Sequence, residues 1–311
     1  MEKFPLEVFV FSYNRGPLLS HCLDSLIRHI PGAKVTVVDD NSSDPETQVV
    51  LNNLPGQVDL MQPKSGRGNK YGGLYHNLQK AYERAESDFI LFTQDDAQAV
   101  RRIEQIDLDY FESYFNHFGN AAFLSPVFPY SIRRSKRRGV QFSKDFPTYF
   151  YQLDERFRDR SVTMYYADIT IASTRRLRKA SWNFQQSEKA SAAHARRHFG
   201  KMGAMVQPFL CQLPEVPFYR SGHQTWGMKQ IIRNQKGLIC GFRDMTSAEV
   251  QSLRDASPRQ VPYAEDWLQC TGREPRRPLR HKAADAHSVL KQLHKIELFL
   301  RRFLRPLTSR R

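Results

Sequence analysis

The 311-residue chain contains no apolar run approaching the roughly 18 residues that a membrane-spanning helix requires, so integral membrane topology is not expected. It has four cysteines, Cys22, Cys211, Cys240 and Cys270, far apart and without a CxxC pair. That spacing argues for reduced, unligated thiols in the cytoplasm over a disulfide framework or a zinc site. The opening MEKFPLEVFVFSYNR carries two acids and no small-residue cleavage site, and does not read as a signal peptide. Gly66 and Gly68 form no phosphate loop, because the strand, GxxxxGK[ST], helix context is missing. Internal repeats and recognised nucleic-acid motifs are also lacking.

Acid is scarce relative to base: 32 Asp plus Glu against 47 Lys plus Arg leave a formal charge of +15. The imbalance is uneven. Residues 1–120 hold 11 basic and 17 acidic side chains, a net of −6, so residues 121–311 carry +21. Such an excess points to an acidic partner, with nucleic acid as one class to be weighed. Hydrophobic residues at 40% are enough to fill a sizeable core, which excludes an intrinsically disordered chain.

The first 126 residues alternate strand and helix signals. Leu6 to Ser12 is apolar and β-rich, and Pro17 to Ile30 repeats apolar residues at helical spacing. Lys34 to Val38 reads as a strand ending at Asp39-Asp40, and Pro45 falls in a helix first turn after Ser43-Asp44 as caps. Val58 to Met61 is a strand, Leu74 to Ala85 a helix, Phe89 to Thr93 a buried strand, Ile103 to Phe118 a helix and Ala121 to Leu124 extended. This alternation predicts an α/β fold, a mostly parallel Rossmann-like sheet with helices on both faces. Ligands of such sheets bind outside the carboxyl ends of the strands, so Asp39-Asp40 and Asp95-Asp96 are expected to face one crevice.

Beyond residue 126 the pattern loosens. Arg133 to Arg138 form a basic run read as a surface loop, Ser161 to Ser173 reads as extended, Thr174 to Ala180 and Trp226 to Gln235 as helices, and Leu238 to Phe242 as a strand. Arg273 to Lys282, rich in Pro and Arg, reads as a linker. Three segments are expected: 1–126 and 127–245 as two halves of one domain, and 246–311 as a basic helical C-terminal extension.

Residue chemistry narrows the site. Tyr13, an aromatic ring at a strand end, can stack on a base. Asp40 can accept the N3–H of uracil or thymine, which together favours a pyrimidine nucleotide. Asp39 supports the turn or the ribose. Asp95 and Asp96 offer hard carboxylate oxygens to a divalent cation set against a diphosphate.

Ser12-Tyr13-Asn14-Arg15 after the first strand, Asp39 to Asp44 after the second, and Ala85 to Asp96 ending in Gln94-Asp95-Asp96 resemble, in that order and spacing, the nucleotide-binding half of family-two glycosyltransferases. The family motif is commonly D-x-D. Gln94 replaces its first acid, and the spore-coat polysaccharide transferase type, with T-D-D, is more similar. The resemblance implies a GT-A fold and a sugar transferred from a UDP- or dTDP-sugar to a hydroxyl of a saccharide or lipid-linked acceptor. Inversion and assistance by Mn²⁺ or Mg²⁺ are implied with it. It implies nucleotide contacts from Ser12, Tyr13, Arg15, Asp39, Asp40 and Asp95, metal binding by Asp95 and Asp96, and a basic contact from Arg67 or Lys70. The family's general base is an acid at the start of a helix in the second half. His223 stands at that position here, and Asp168 is the second candidate, with Glu215 and Glu265-Asp266 behind them. Trp226 reads as a core residue or as lining for the acceptor pocket.

Near the C-terminus Val289, Leu293, Ile296, Phe299, Leu300, Phe303, Leu304 and Leu307 share one helical face, opposite Lys291, Lys295, Arg301, Arg302 and Arg305. Two readings stay open: a helix lying on an anionic membrane through residues 289–305, or one packed on its own domain or a second subunit. The expected setting is the cytoplasm or the cytoplasmic face of a membrane, in polysaccharide biosynthesis. The rival functions are a sugar-phosphate nucleotidyltransferase, whose Gly-rich phosphate loop is missing, and a noncatalytic nucleotide- or nucleic-acid-binding protein. No specific nucleic acid is expected as a partner.

Overall fold

The computed structural model describes residues 4–62, 73–131, 140–151, 169–216, 225–235, 239–286 and 288–308. The first part of the chain runs β1 (Leu6–Ser12), α1 (Gly16–His29), β2 (Lys34–Asp39), α2 (Pro45–Asn52), β3 (Val58–Met61), α3 (Leu74–Arg84), β4 (Phe89–Gln94), β5 (Ala97–Ala99), α4 (Gln105–His117) and β6 (Phe123–Ser125). It continues as β7 (Val140–Phe142), β8 (Thr148–Tyr151), β9 (Thr170–Ser173), α5 (Thr174–Lys179), α6 (Glu188–Phe199), β10 (Gly203–Met205), β11 (Leu210–Gln212) and α7 (Trp226–Gln235). The last elements are β12 (Gly241–Phe242), α8 (Ser247–Asp255), α9 (Ala264–Trp267), β13 (Cys270–Thr271), α10 (Ala283–Ala286) and α11 (Ser288–Thr308).

Nine strands form one sheet in the order β3-β2-β1-β4-β9-β6-β10-β8-β7. The pairings fix the directions: only β9 and β8 run against the other seven, so the sheet is mostly parallel, as the alternating pattern predicts. Both faces are covered, and the pleat of β1 shows how. Leu6, Val8 and Val10 join Leu19, Cys22 and Leu26 of α1 and Phe111 and Phe115 of α4. Phe9 and Phe11, pointing the other way, join Leu78 and Tyr82 of α3, Leu177 of α5 and Ala192 of α6.

The chain steps outward from β1 through β2 to β3, then returns to place β4 on the other side of β1. This reversal opens a crevice beyond the carboxyl ends of β1 and β4, where ligands of open α/β sheets bind. Register brings the ends level: Ser12 pairs with Asp39, and Phe11 with Gln94.

Arg273 to Lys282 is not a linker. Arg273 pairs with the buried Glu215, the Arg276 N–H donates to the same carboxylate at 2.9 Å, and the Leu279 N–H donates to Glu265 at 2.9 Å. Leu279 itself is buried in a cluster with Val100, Phe128, Tyr130 and Phe242. The Pro and Arg content that suggests a linker here serves a segment anchored by the buried Glu215 and the half-buried Glu265.

Candidate active site

The strand-end turns are bonded to one another. Asn14, in the left-handed region at φ 52°, accepts from the Ser43 and Asp44 N–H groups at 2.7 and 2.9 Å, while its own N–H donates to Ser42 Oγ at 2.9 Å. Asparagine tolerates that backbone because its short side chain bonds locally. Asp44 caps α2 by accepting from Thr47 N–H at 2.9 Å. Gly16 is required by close approach, since a Cβ there would lie 2.6 Å from the Glu46 carbonyl oxygen.

Asp39 is fully buried and accepts from the Ser42 N–H and hydroxyl and from Gln62 Nε2, which makes it a support of the turn. Asp40 accepts from the Gly73 N–H at 2.8 Å and from Asn77 Nδ2 at 3.2 Å, tying the start of α3 to the end of β2. Gly73 has no room for a side chain, because a Cβ would come 1.9 Å from Asp40 Oδ1. A carboxylate has lone pairs beyond these two bonds, so Asp40 can still receive a base N–H. Tyr13 follows Ser12, whose carbonyl accepts from the Asp40 N–H at 3.0 Å, and 39% of its surface is exposed.

Asp95 and Asp96 are both only 2% exposed. Arg15 bridges them, its Nη1 lying 3.0 Å from Asp95 Oδ1 and 2.7 Å from Asp96 Oδ2, and Ser12 Oγ donates to Asp95 Oδ2 at 2.8 Å. Burial pushes the Asp95 carboxyl up to about 6, against the pull of Arg15. Burial would raise Asp96 too, but His281 and Arg15 hold it below the usual carboxylate range. Burial would lower Arg15, yet the two acids raise it above its ordinary value.

His281 was missed in the sequence. Its Nε2 lies 3.5 Å from Asp96 Oδ2, and its Nδ1 lies 3.2 Å from the Leu213 carbonyl oxygen. A carbonyl can only accept, so Nδ1 carries the proton and, in the neutral ring, Nε2 presents its lone pair beside Asp96. Asp96 Oδ1 is buried and has no hydrogen-bond partner among the described residues. A buried carboxylate and an imidazole nitrogen 3.5 Å from its Oδ2 are donor types that suit a divalent cation. Among the described residues no group of three or more such ligands assembles.

Other placements differ from the sequence reading or lie beyond it. Glu215, 2% exposed, is engaged by Arg273 and Arg276, and Glu265 accepts from the Ser131 N–H and hydroxyl; both hold the fold. Trp226 is 58% exposed and is not a core residue, because its helix turns it away from the protein. Arg67, Lys70, Asp168, His223 and the basic run at 133–138 lie outside the described residues. β9 nevertheless begins with Thr170 paired to Phe92, at the edge where β4 ends.

No curated protein matches the chain. Solved structures similar to it include S. aureus TarS 1–349 (18% identity, 80% of this chain and 69% of that chain, TM-score 0.45). The same protein in complex with UDP-GlcNAc is matched at 18% identity, over 80% of this chain and 70% of that one, with a TM-score of 0.44. The mannosyltransferase PcManGT from Pyrobaculum calidifontis in complex with GDP-Man and Mn²⁺ is matched at 16% identity, over 81% and 65%, with a TM-score of 0.44. Residues 7–128, spanning β1 to β6 and all three strand-end motifs, match the family model of glycosyl transferase family 2. Over residues 7–128 the chain is therefore similar to a family 2 glycosyltransferase domain.

Proposed function

We propose that the protein transfers a sugar from a UDP- or dTDP-sugar to a hydroxyl of a saccharide or lipid-linked acceptor, with inversion and with help from a divalent cation. The observation that carries this reading is the crevice at the switch point, where Tyr13, Asp40 and the buried Asp95-Asp96 pair converge from three strand ends. Tyr13 stacks on the pyrimidine and Asp40 accepts its N3–H, a proton that cytosine lacks. Mn²⁺ or Mg²⁺ would be held by Asp96 and His281, and when bound supplies positive charge to the departing nucleoside diphosphate. Arg15 keeps the adjacent Asp95 charged and fixed through its ion pair, and Ser12 orients the same carboxylate.

Inversion requires a base to take the acceptor proton as the sugar carbon is attacked. His223 and Asp168 are the candidates; Asp168 stands two residues before Thr170 in sequence, and His223 three before Trp226. The +21 charge of residues 121–311 suits an acidic acceptor, and the four free cysteines suit the cytoplasm.

The test is a panel of UDP-, dTDP- and GDP-sugars with and without Mn²⁺, following release of nucleoside diphosphate. Uridine or thymidine donors should turn over, Asp96→Ala should abolish turnover, and Tyr13→Ala should weaken donor binding by about 1–3 kcal/mol, the scale of base–aromatic stacking. Neither binding nor turnover with any uridine or thymidine donor would sink the proposal.

A further inference from the structure

Among the described residues, the large apolar side chains exposed to solvent fall into two sets. Tyr13, Val49, Leu60 and Ile106 are scattered over the surface. Trp226, Val289, Leu293, Ile296, Phe299 and Leu300 all belong to the paired helices α7 and α11, with Val289 71%, Phe299 59% and Ile296 54% exposed. Positions 289, 293, 296 and 300 repeat at the spacing of a single helical stripe.

The other side of α11 is the one that docks. Leu290 packs on Met228 and Ala283, His294 Nδ1 lies 2.8 Å from Thr225 Oγ1, and the Trp226 N–H donates to Glu297 at 2.6 Å. Gly227 lets the helices come close, since a Cβ there would lie 3.1 Å from the Leu290 carbonyl oxygen. Lys291 is paired with Asp285 at 2.7 Å. A surface helix normally turns its apolar stripe to the core; α11 docks instead through Leu290, His294 and Glu297. Positions 289, 293, 296 and 300 stay exposed.

We propose that this face of α11, with Trp226 at its margin, docks on an anionic lipid bilayer. Charge selects the partner. Residues 288–308 contain Lys291, Lys295, Arg301, Arg302 and Arg305 against Glu297 alone, 5 − 1 = +4. Anionic head groups complement that charge. At 1.5 Å per residue the 21 residues of α11 cover about 30 Å, an extended footprint for a helix lying in the interface. Tryptophan favours that head-group level. No described helix is long and apolar enough to cross a membrane, so the association is peripheral. His281, beside Asp96, is separated from α11 by little more than α10, which ties the lipid-facing helix to the crevice.

The test is cosedimentation of the full chain with phosphatidylcholine vesicles and with mixed phosphatidylcholine–phosphatidylglycerol vesicles, at low and high salt. Binding to the mixed vesicles should be at least about tenfold tighter and should weaken with salt. Leu293→Asp with Ile296→Asp should reduce it at least about tenfold while cooperative unfolding is kept. Should that variant misfold, Lys295→Glu with Arg302→Glu tests the charge requirement and should also release the protein from anionic vesicles. Equal binding by the folded variants would overturn the proposal. So would failure to bind anionic vesicles together with a dimer in sedimentation velocity that the aspartates dissociate. Neither readout depends on donor turnover.

Discussion

Arg15 holds the centre of the site. It follows directly on the turn that closes β1, and its guanidinium reaches two carboxylates that are almost wholly buried, Asp95 and Asp96. Two buried like charges would repel without it, and a carboxylate left uncompensated in a dry site costs far more than the pair gains. Arg15→Met should therefore destabilise the protein by about 3–5 kcal/mol in urea unfolding at pH 7, with Arg15→Lys losing less. A loss under about 1 kcal/mol would mean that the acids are not both charged in the free protein. Tyr13, Asp40 and the acid pair were legible in the sequence because each stands at a strand end. The Arg15 ion pair was not, because its partners lie some eighty residues away and Arg15 in a turn has the look of a solvated side chain.

The βα units of the first half were legible for a physical reason: β1, β2 and β4 are buried on both faces and α1 and α3 on one, so hydrophobic periodicity reports them. The later elements carry their information in polar partners. α8 is an example, begun by a capping box in which Thr246 Oγ1 accepts from the Glu249 N–H and Glu249 accepts from the Thr246 N–H. Hydrogen bonds from Arg243 and then from Thr246 hold the Glu249 carboxyl down to about 2. The stabilisation is complete above the ordinary value of 4.5 and is lost as pH falls toward 2. The difference in unfolding midpoint between the wild type and Glu249→Gln should be present at pH 7 and shrink steadily below about pH 4.5. A difference that does not change with pH would assign the effect to packing.

At the scale of the whole molecule, the C-terminal segment closes the site that the N-terminal strands begin. Gln98 of β5 is bonded to both the N–H and the carbonyl of Phe242, and Glu215 gathers Arg273 and Arg276. His281 thereby arrives beside Asp96. Removing it should act on metal use more than on donor recognition. His281→Ala should raise the Mn²⁺ concentration required for half-maximal turnover at least about tenfold, with uridine nucleotide affinity in the absence of metal little changed. An unaltered Mn²⁺ dependence in a titration of initial rates would remove His281 from the metal site.

The sequence alone determined the parallel sheet, the strand-end turns and the acid pair, because these depend on local periodicity and on the rule that carboxyl ends of neighbouring strands share one edge. It also determined that α11 is amphipathic. Only the tertiary structure decided that His281 joins Asp96, that the segment 273–282 is woven into the fold, and which side of α11 faces outward. Those outcomes depend on contacts between residues distant in the chain, where partner identity and packing geometry prevail over local composition.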